Sequence, residues 1–331
     1  MKKNHLAIII LLIISSTCLS DKIKEQVLND SSIENTFDPI DVVIPAHKKD
    51  LKTLDMVITG IKKNGKNIRR IIVVSKRPYT NKAEWFDEAS YPFSKNDVLE
   101  TIIQYILDGK QIKFRRLGWI YQQFLKLYAP LVIPDISPNV LVLDADTIFL
   151  NPVEFIDKQG YALYNVGREY HRPYFRHAQK LISDNPIVKI FKNYSGICHH
   201  MLFQRPIIEE LFDCIEKTHK LELWKAIIKC INRQHLFGAS FSEYEIYFNF
   251  VFGRQKRVKI RSLKWKNIKL NIDKLKECRA KKYHYVSCHS YLKMLIQLYK
   301  QIKYWQNEFD DCTDSTRYLD KPLLLIKRIL F

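Results

Sequence analysis

Glycine and proline are scarce, at 9 and 12 of 331 residues. That leaves little room for low-complexity linkers, and no internal repeat is present, so solenoid and array architectures are excluded. No Cys-x-x-Cys pair occurs, which argues against a structural zinc site. The apolar run Leu6 to Ile14 falls short of the roughly 20 residues that a membrane-spanning helix needs. Acids are also under-represented: 35 Asp and Glu stand against 54 Lys and Arg, for a formal charge of +19.

A content of 47% hydrophobic and 27% charged residues is that of a folded globular chain. The length suits one large domain or two small ones, and a single compact body is expected. The basic excess favours anionic ligands: nucleic acid, an acidic membrane face, or phosphorylated or acidic-glycan substrates. It is concentrated between Arg254 and Lys282, where 13 Lys or Arg meet only Asp273 and Glu277. Such a run is either a solvated face or a surface for phosphates or lipid. No nucleic-acid motif accompanies it, and Trp265 is its only interleaved tryptophan.

Residues 1–20 read as a targeting segment, with Lys2 and Lys3 ahead of the apolar run and Ser15 to Ser20 after it. A cleavable signal ending near Ser20, or an uncleaved anchor, would place the body in an exported or secretory-pathway lumen. Beyond Cys18, the cysteines Cys198, Cys214, Cys230, Cys278, Cys288 and Cys312 permit up to three disulfides without fixing any pairing.

Along the chain, Ile40 to Pro45 is a short β-branched run stopped by proline, a buried strand leading into Ala46 and His47. Helical spacing follows over 51–63, and then a second buried strand, Ile71 to Val74, ends at Ser75. That β-α-β order predicts a parallel sheet with crossover helices, binding its ligand at the carboxyl ends of the strands. A helix with Leu117, Ile120, Tyr121, Phe124, Leu125 and Tyr128 on one side places Gln122, Gln123 and Lys126 on the other, and Pro130 ends the pattern. Asn139 begins a further buried strand, Val140 to Leu143, which runs into Asp144-Ala145-Asp146. Pro206 to Thr218 is helical in pattern, and 322–331 is an apolar tail.

Asp144 and Asp146 share a face if the strand continues through them. Two such carboxylates repel unless a cation lies between them. Hard oxygen ligands suit Mg²⁺ or Mn²⁺, which completes its shell with substrate phosphates and neutralises a leaving diphosphate. A lysine or arginine could supply the same charge without metal. Phosphatases of the haloacid-dehalogenase type also place Asp-x-Asp after a strand, with the first Asp as nucleophile, but on the first strand of the fold.

The segments Val43 to His47, Ile71 to Ser75 and Leu143 to Thr147 resemble the GT-A glycosyltransferases. Together with Gly118 to Gln123, Glu169 to His171, Ser195 to Met201 and Ser242 to Glu245, they also resemble a GT-A-like family grouped under a domain of unknown function. The likeness covers about residues 38–292, followed by a helical tail over 293–331. It implies an α/β, Rossmann-like fold with a mixed, mostly parallel central sheet flanked by helices. The implied activity is metal-dependent transfer, with inversion, from a nucleotide-sugar donor to a glycan, lipid or protein acceptor. Asp146 would ligate Mn²⁺ or Mg²⁺. Asp144 would contact the ribose, or the metal through water, and His289 would complete the shell, with His284 as its rival. Pro45, Ala46, His47 and Ser75 would line the nucleotide pocket, while Gln122, Gln123, His199 and His200 would meet the sugar or acceptor. Glu243 sits where inverting members place the catalytic base, although Ser242 and Glu245 also read as a helix capping box.

Two other readings compete with this one: an Asp144-dependent phosphatase or phosphotransferase, and a non-catalytic binder of anionic glycan or lipid, such as a membrane surface, using 254–282.

Overall fold

The computed structural model describes residues 38–110, 114–254 and 256–288. The targeting segment, Cys312, His289 and the tail lie outside the described residues. The chain clusters into two compact units. Among the described residues, one contains 38–47, 66–144 and 154–262, and the other contains 48–65, 145–153 and 263–288.

The first unit is built on a five-stranded sheet. Its members are β1 (Ile40–Pro45), β2 (Ile68–Ser75), β3 (Glu84–Asp87), β4 (Asn139–Leu143) and β7 (His200–Gln204), in the order β3-β2-β1-β4-β7. β1 pairs parallel with β2 and with β4, β2 pairs parallel with β3, and only β7 runs antiparallel, against β4. This is the mixed, mostly parallel sheet flanked by helices that the resemblance implies. β1, β4 and β7 are buried on both faces, hence their continuous rather than alternating apolar runs. At the amino end of β1, buried Asp41 accepts from Arg69, Arg70 and the Ser137 amide, which holds the carboxyl low despite its burial and ties three segments together.

Among the described residues six α-helices belong to this unit: α2 (Lys95–Tyr105), α3 (Leu117–Val132), α4 (Arg172–Ala178), α5 (Arg205–His219), α6 (Leu223–Lys229) and α7 (Glu243–Gly253). α3 packs on β1 and β4, α5 on β7, and α7 on α3, α4 and α5. Phe93 anchors the core, with its ring between 4.9 and 6.0 Å from those of Tyr121, Phe124, Tyr128 and Trp224. A small parallel pair, β6 (Ala162–Asn165) with β8 (Val258–Arg261), completes the unit.

α3 departs from expectation in two ways. It continues past Pro130, which lies in its last turn and there gives up only the N–H bond toward the Lys126 carbonyl. Its supposed polar side is also inside: Gln123 is 2% exposed and Lys126 3%. The cover is α7, in which every residue from Glu243 to Phe252 is buried. A helix apolar all round must be enclosed all round.

The second unit holds α1 (Leu51–Asn64), β5 (Thr147–Phe149), β9 (Trp265–Asn267), α8 (Ile272–Ala280) and β10 (Tyr285–Ser287). β10 lies antiparallel to β5 and parallel to β9. Gly60 lets α1 approach β5 closely, because a Cβ there would sit 2.8 Å from the Phe149 carbonyl oxygen. Trp265 stacks on Tyr285 at 5.4 Å.

Among the described residues Cys198, Cys214, Cys230, Cys278 and Cys288 form no disulfide with one another, and no helix is long and apolar enough to cross a membrane. Several cations of the basic run are paired within their own units. Lys256 lies 2.8 Å from Glu210, Lys259 2.8 Å from Asp157, and Lys281 2.6 Å from Glu277.

Candidate active site

β1 is flanked by its sequence neighbour β2 on one side and by β4 on the other, so the sheet order reverses beside it. In open α/β sheets the crevice outside the carboxyl ends of the strands at such a point takes the ligand. Val43 pairs with Val142, which brings Pro45-Ala46-His47 and Asp144 to neighbouring strand ends. The Gln122 side chain on α3 donates to the Pro45 carbonyl at 3.2 Å. Ala46 is buried with its amide on Val74, and His47 is exposed. Ser75, at the end of β2, is fully buried and donates its hydroxyl to the Arg77 carbonyl.

At the end of β4 lies a buried ion cluster. Lys126 on α3 donates to Asp144 Oδ1, to Glu243 Oε1 at 2.7 Å and to the Tyr244 hydroxyl at 3.1 Å. The Tyr244 hydroxyl donates in turn to Asp144 Oδ1 at 3.2 Å, and its ring lies under the Lys126 ammonium. His199 Nδ1 stands 3.4 Å from Asp144 Oδ2, and the Asp144 amide donates to the His199 carbonyl. To reach that position His199 adopts a positive φ of 68°. Gln123 accepts from the Glu243 amide at 3.1 Å and so fixes the start of α7. Gln123 is buried, and both ends of its amide are used inside the protein.

Burial lowers the Lys126 ammonium, but Asp144 and Glu243 outweigh that and hold it above its ordinary value. Burial likewise raises Asp144, yet Lys126 and His199 win and keep it well below the usual carboxylate range. Glu243 goes the other way: burial lifts it, the Asp144 charge adds to the lift, and Lys126 only partly offsets it. Two carboxylates on one ammonium are thus driven apart, one firmly ionised and the other poised to accept a proton.

Glu245 does not complete the capping box. Ser242 accepts from its amide at 3.4 Å, while its carboxylate receives Ser195 and Asn249. His200 lies inside β7, 3% exposed, with Nδ1 on the Cys198 carbonyl at 3.1 Å and its ring against Phe155. Burial lowers it to about 3, so it is a neutral core histidine.

In the second unit Asp146 accepts from the Ser287 hydroxyl at 3.0 Å, and its carbonyl accepts from the Cys288 amide. The His284 ring accepts from the Lys264 amide, so that rival for the late histidine is engaged locally. Lys126 supplies a counter-charge to Asp144 within the protein, and His289, the third residue of the expected metal set, lies outside the described residues. Sequence reasoning passes over Lys126 and Tyr244. The one signal available is electrostatic, since paired acids at the end of a buried strand demand a cation.

Fold and cluster define the class: an α/β protein with a charged, largely buried polar cluster at a sheet switch point. The chain belongs to the Family of unknown function (DUF6492), whose family model matches residues 38–320. No curated protein matches it. Among solved structures it is similar to mouse xyloside xylosyltransferase 1 in its apo form, at 12% identity and a TM-score of 0.37, over 76% of this chain and 98% of that one. A likeness of that size says nothing of chemistry.

Proposed function

We propose that the first unit is a GT-A-like glycosyltransferase module that takes a nucleotide-sugar donor. The observation that supports this best is the opposed pair Asp144 and Glu243 on one buried lysine, at the carboxyl ends of β1 and β4. In this reading the donor's nucleotide lies over Pro45, Ala46 and His47, with Gln122 holding the Pro45 turn. Asp144 stays ionised and accepts from a donor hydroxyl such as that of the ribose. Glu243 takes the proton of the acceptor hydroxyl as that oxygen bonds to the anomeric carbon. The bond from that carbon to the diphosphate breaks, its electron pair leaves with the nucleoside diphosphate, and the configuration inverts. Lys126, rather than a metal, keeps the two carboxylates together. In the second unit Asp146 would hold Mn²⁺ or Mg²⁺, which supplies charge neutralisation to a diphosphate.

An Asp144-dependent phosphatase is less well supported, because Oδ1 of Asp144 is held by Lys126 and Tyr244 and Oδ2 lies beside His199.

The test is a thermal-shift titration of the full chain with nucleoside diphosphates, with and without Mn²⁺, followed by nucleotide-sugar hydrolysis. A binder of the native state raises the melting temperature by mass action. One diphosphate should stabilise the protein, and Glu243→Gln should keep that shift while slowing donor turnover by about 10²-fold or more. If no nucleotide stabilises the protein with or without metal, the proposal fails.

A further inference from the structure

The basic excess is not shared evenly between the two units. Among the described residues the second unit carries 13 Lys or Arg against five acids in 53 residues, a net charge of +8. The first unit carries the same net charge on 194 residues, with 29 cations against 21 acids. A small body of such one-sided charge draws anions to its surface. Internal pairing reduces it little. Lys281 is bonded to Glu277, but Lys264, Lys266, Lys274, Lys276, Arg279 and Lys282 form no ion pair among the described residues.

Two sets of these cations are fixed by the fold. The Lys264 and Lys266 ammoniums stand 4.5 and 4.8 Å from the centre of the Tyr283 ring, and Lys264 also donates to the Lys281 carbonyl at 2.8 Å. The cations of β9 are thereby held beside the carboxyl end of α8. On α8 itself Ile272, Lys276 and Arg279 follow at i, i+4 and i+7, so they form one stripe, away from Cys278, the only residue that the helix buries. All three are exposed, Ile272 at 56%. An apolar side chain standing in water beside two cations matches a surface that is anionic outside and apolar just beneath. Nucleic acid or a soluble phosphate would engage the cations and leave Ile272 without a role, and no nucleic-acid motif is present.

We propose that the second unit docks on an anionic lipid bilayer, with Ile272 in the interface and Lys264, Lys266, Lys276 and Arg279 on the headgroups. α8 offers one exposed apolar side chain on that stripe, too little to hold a membrane by apolar burial alone. Electrostatic attraction therefore supplies most of the affinity, and binding is reversible and sensitive to salt. The docking does not rest on the glycosyltransferase reading.

The experiment is co-sedimentation of the full-length protein with vesicles of phosphatidylcholine alone and of phosphatidylcholine mixed with phosphatidylserine, at low and high salt. The mixed vesicles should bind at least about tenfold more tightly, and that advantage should vanish near about 1 M salt, where the Debye length shrinks to about 3 Å. Each cation near a charged leaflet is worth about fivefold in affinity, so Lys276→Gln with Arg279→Gln should weaken binding by about twentyfold. Ile272→Ser should weaken binding to the mixed vesicles severalfold while leaving retention on heparin unchanged. These side chains are exposed, so the melting temperature of each variant should match that of the natural protein. Equal binding to both kinds of vesicle overturns the proposal, as does unaltered binding by the double variant. If Ile272→Ser binds the mixed vesicles as the natural protein does, the unit is a general polyanion surface and the assignment to lipid is wrong.

Discussion

Replacing Lys126 by methionine tests the ion cluster directly. The side chain keeps its bulk and loses its charge, which leaves Asp144 and Glu243 facing each other in a site where Lys126 and Glu243 are 3% and 4% exposed. Removing one partner of a buried pair typically costs about 3–5 kcal/mol, a large share of the ~5–15 kcal/mol that holds a domain folded. At about 2–4 °C per kcal/mol for a unit of this size, the melting temperature should drop by roughly 6–20 °C. Glu243→Gln in the natural background removes one charge-assisted hydrogen bond and should cost about 1–2 kcal/mol. In the Lys126→Met background the same change removes a stranded carboxylate, so it should stabilise. The sign of Glu243→Gln therefore reverses, with a coupling of about 2 kcal/mol or more. Urea unfolding of the four proteins, followed by circular dichroism at a common m-value, measures it. Additivity within about 0.5 kcal/mol would show that Lys126 does not neutralise Glu243, and the reasoning would be wrong.

Two further predictions concern the packing around the site. His200 is held neutral in the fold, down to about 3 from an ordinary 6.5. Acidification below the ordinary value protonates the unfolded chain first and removes stability from the natural protein. A His200→Phe variant lacks that loss, so its deficit at neutral pH should narrow by about 1.4 kcal/mol per pH unit between roughly pH 6 and 4; a constant deficit in urea midpoints refutes this. Gly196→Ala should destabilise by about 1–3 kcal/mol, because a Cβ there would lie 2.5 Å from Phe248 Cβ and 2.9 Å from the Tyr244 carbonyl oxygen; an unchanged melting temperature would contradict it.

The strands β1 and β4, whose carboxyl ends carry the candidate site, are legible in the sequence because they are buried on both faces. Val42 to Pro45 and Val140 to Leu143 read as unbroken apolar runs with clear stops. The edge strand Glu84–Asp87 is not legible, since its residues are exposed or half-buried and its tetrapeptide has no period to detect. The three-residue strands of the second unit are too short to show a period, even where they are fully buried, as β5 and β10 are. Within the site, Asp144 and Glu243 stand out as carboxylates beside apolar segments. Lys126 does not, because a lysine beside two glutamines on a helix looks solvated. Only the packing of α7, apolar on every side, turns that face inward, and no local pattern reports a tertiary neighbour.

The same cluster bears on how β4 finds its place. With both faces apolar, the run Asn139–Leu143 has no inside and outside, so burial alone scarcely distinguishes one pairing offset from the next. Its last neighbour does. A slip of one residue against β1 would turn Asp144 to the opposite side of the sheet, away from the ammonium and the phenol that await it, and leave Lys126 under-compensated in the interior. Lys126, Glu243 and Tyr244 thus act as a proofreader of strand alignment: only when Val43 meets Val142 does the carboxylate arrive where a buried charge requires it.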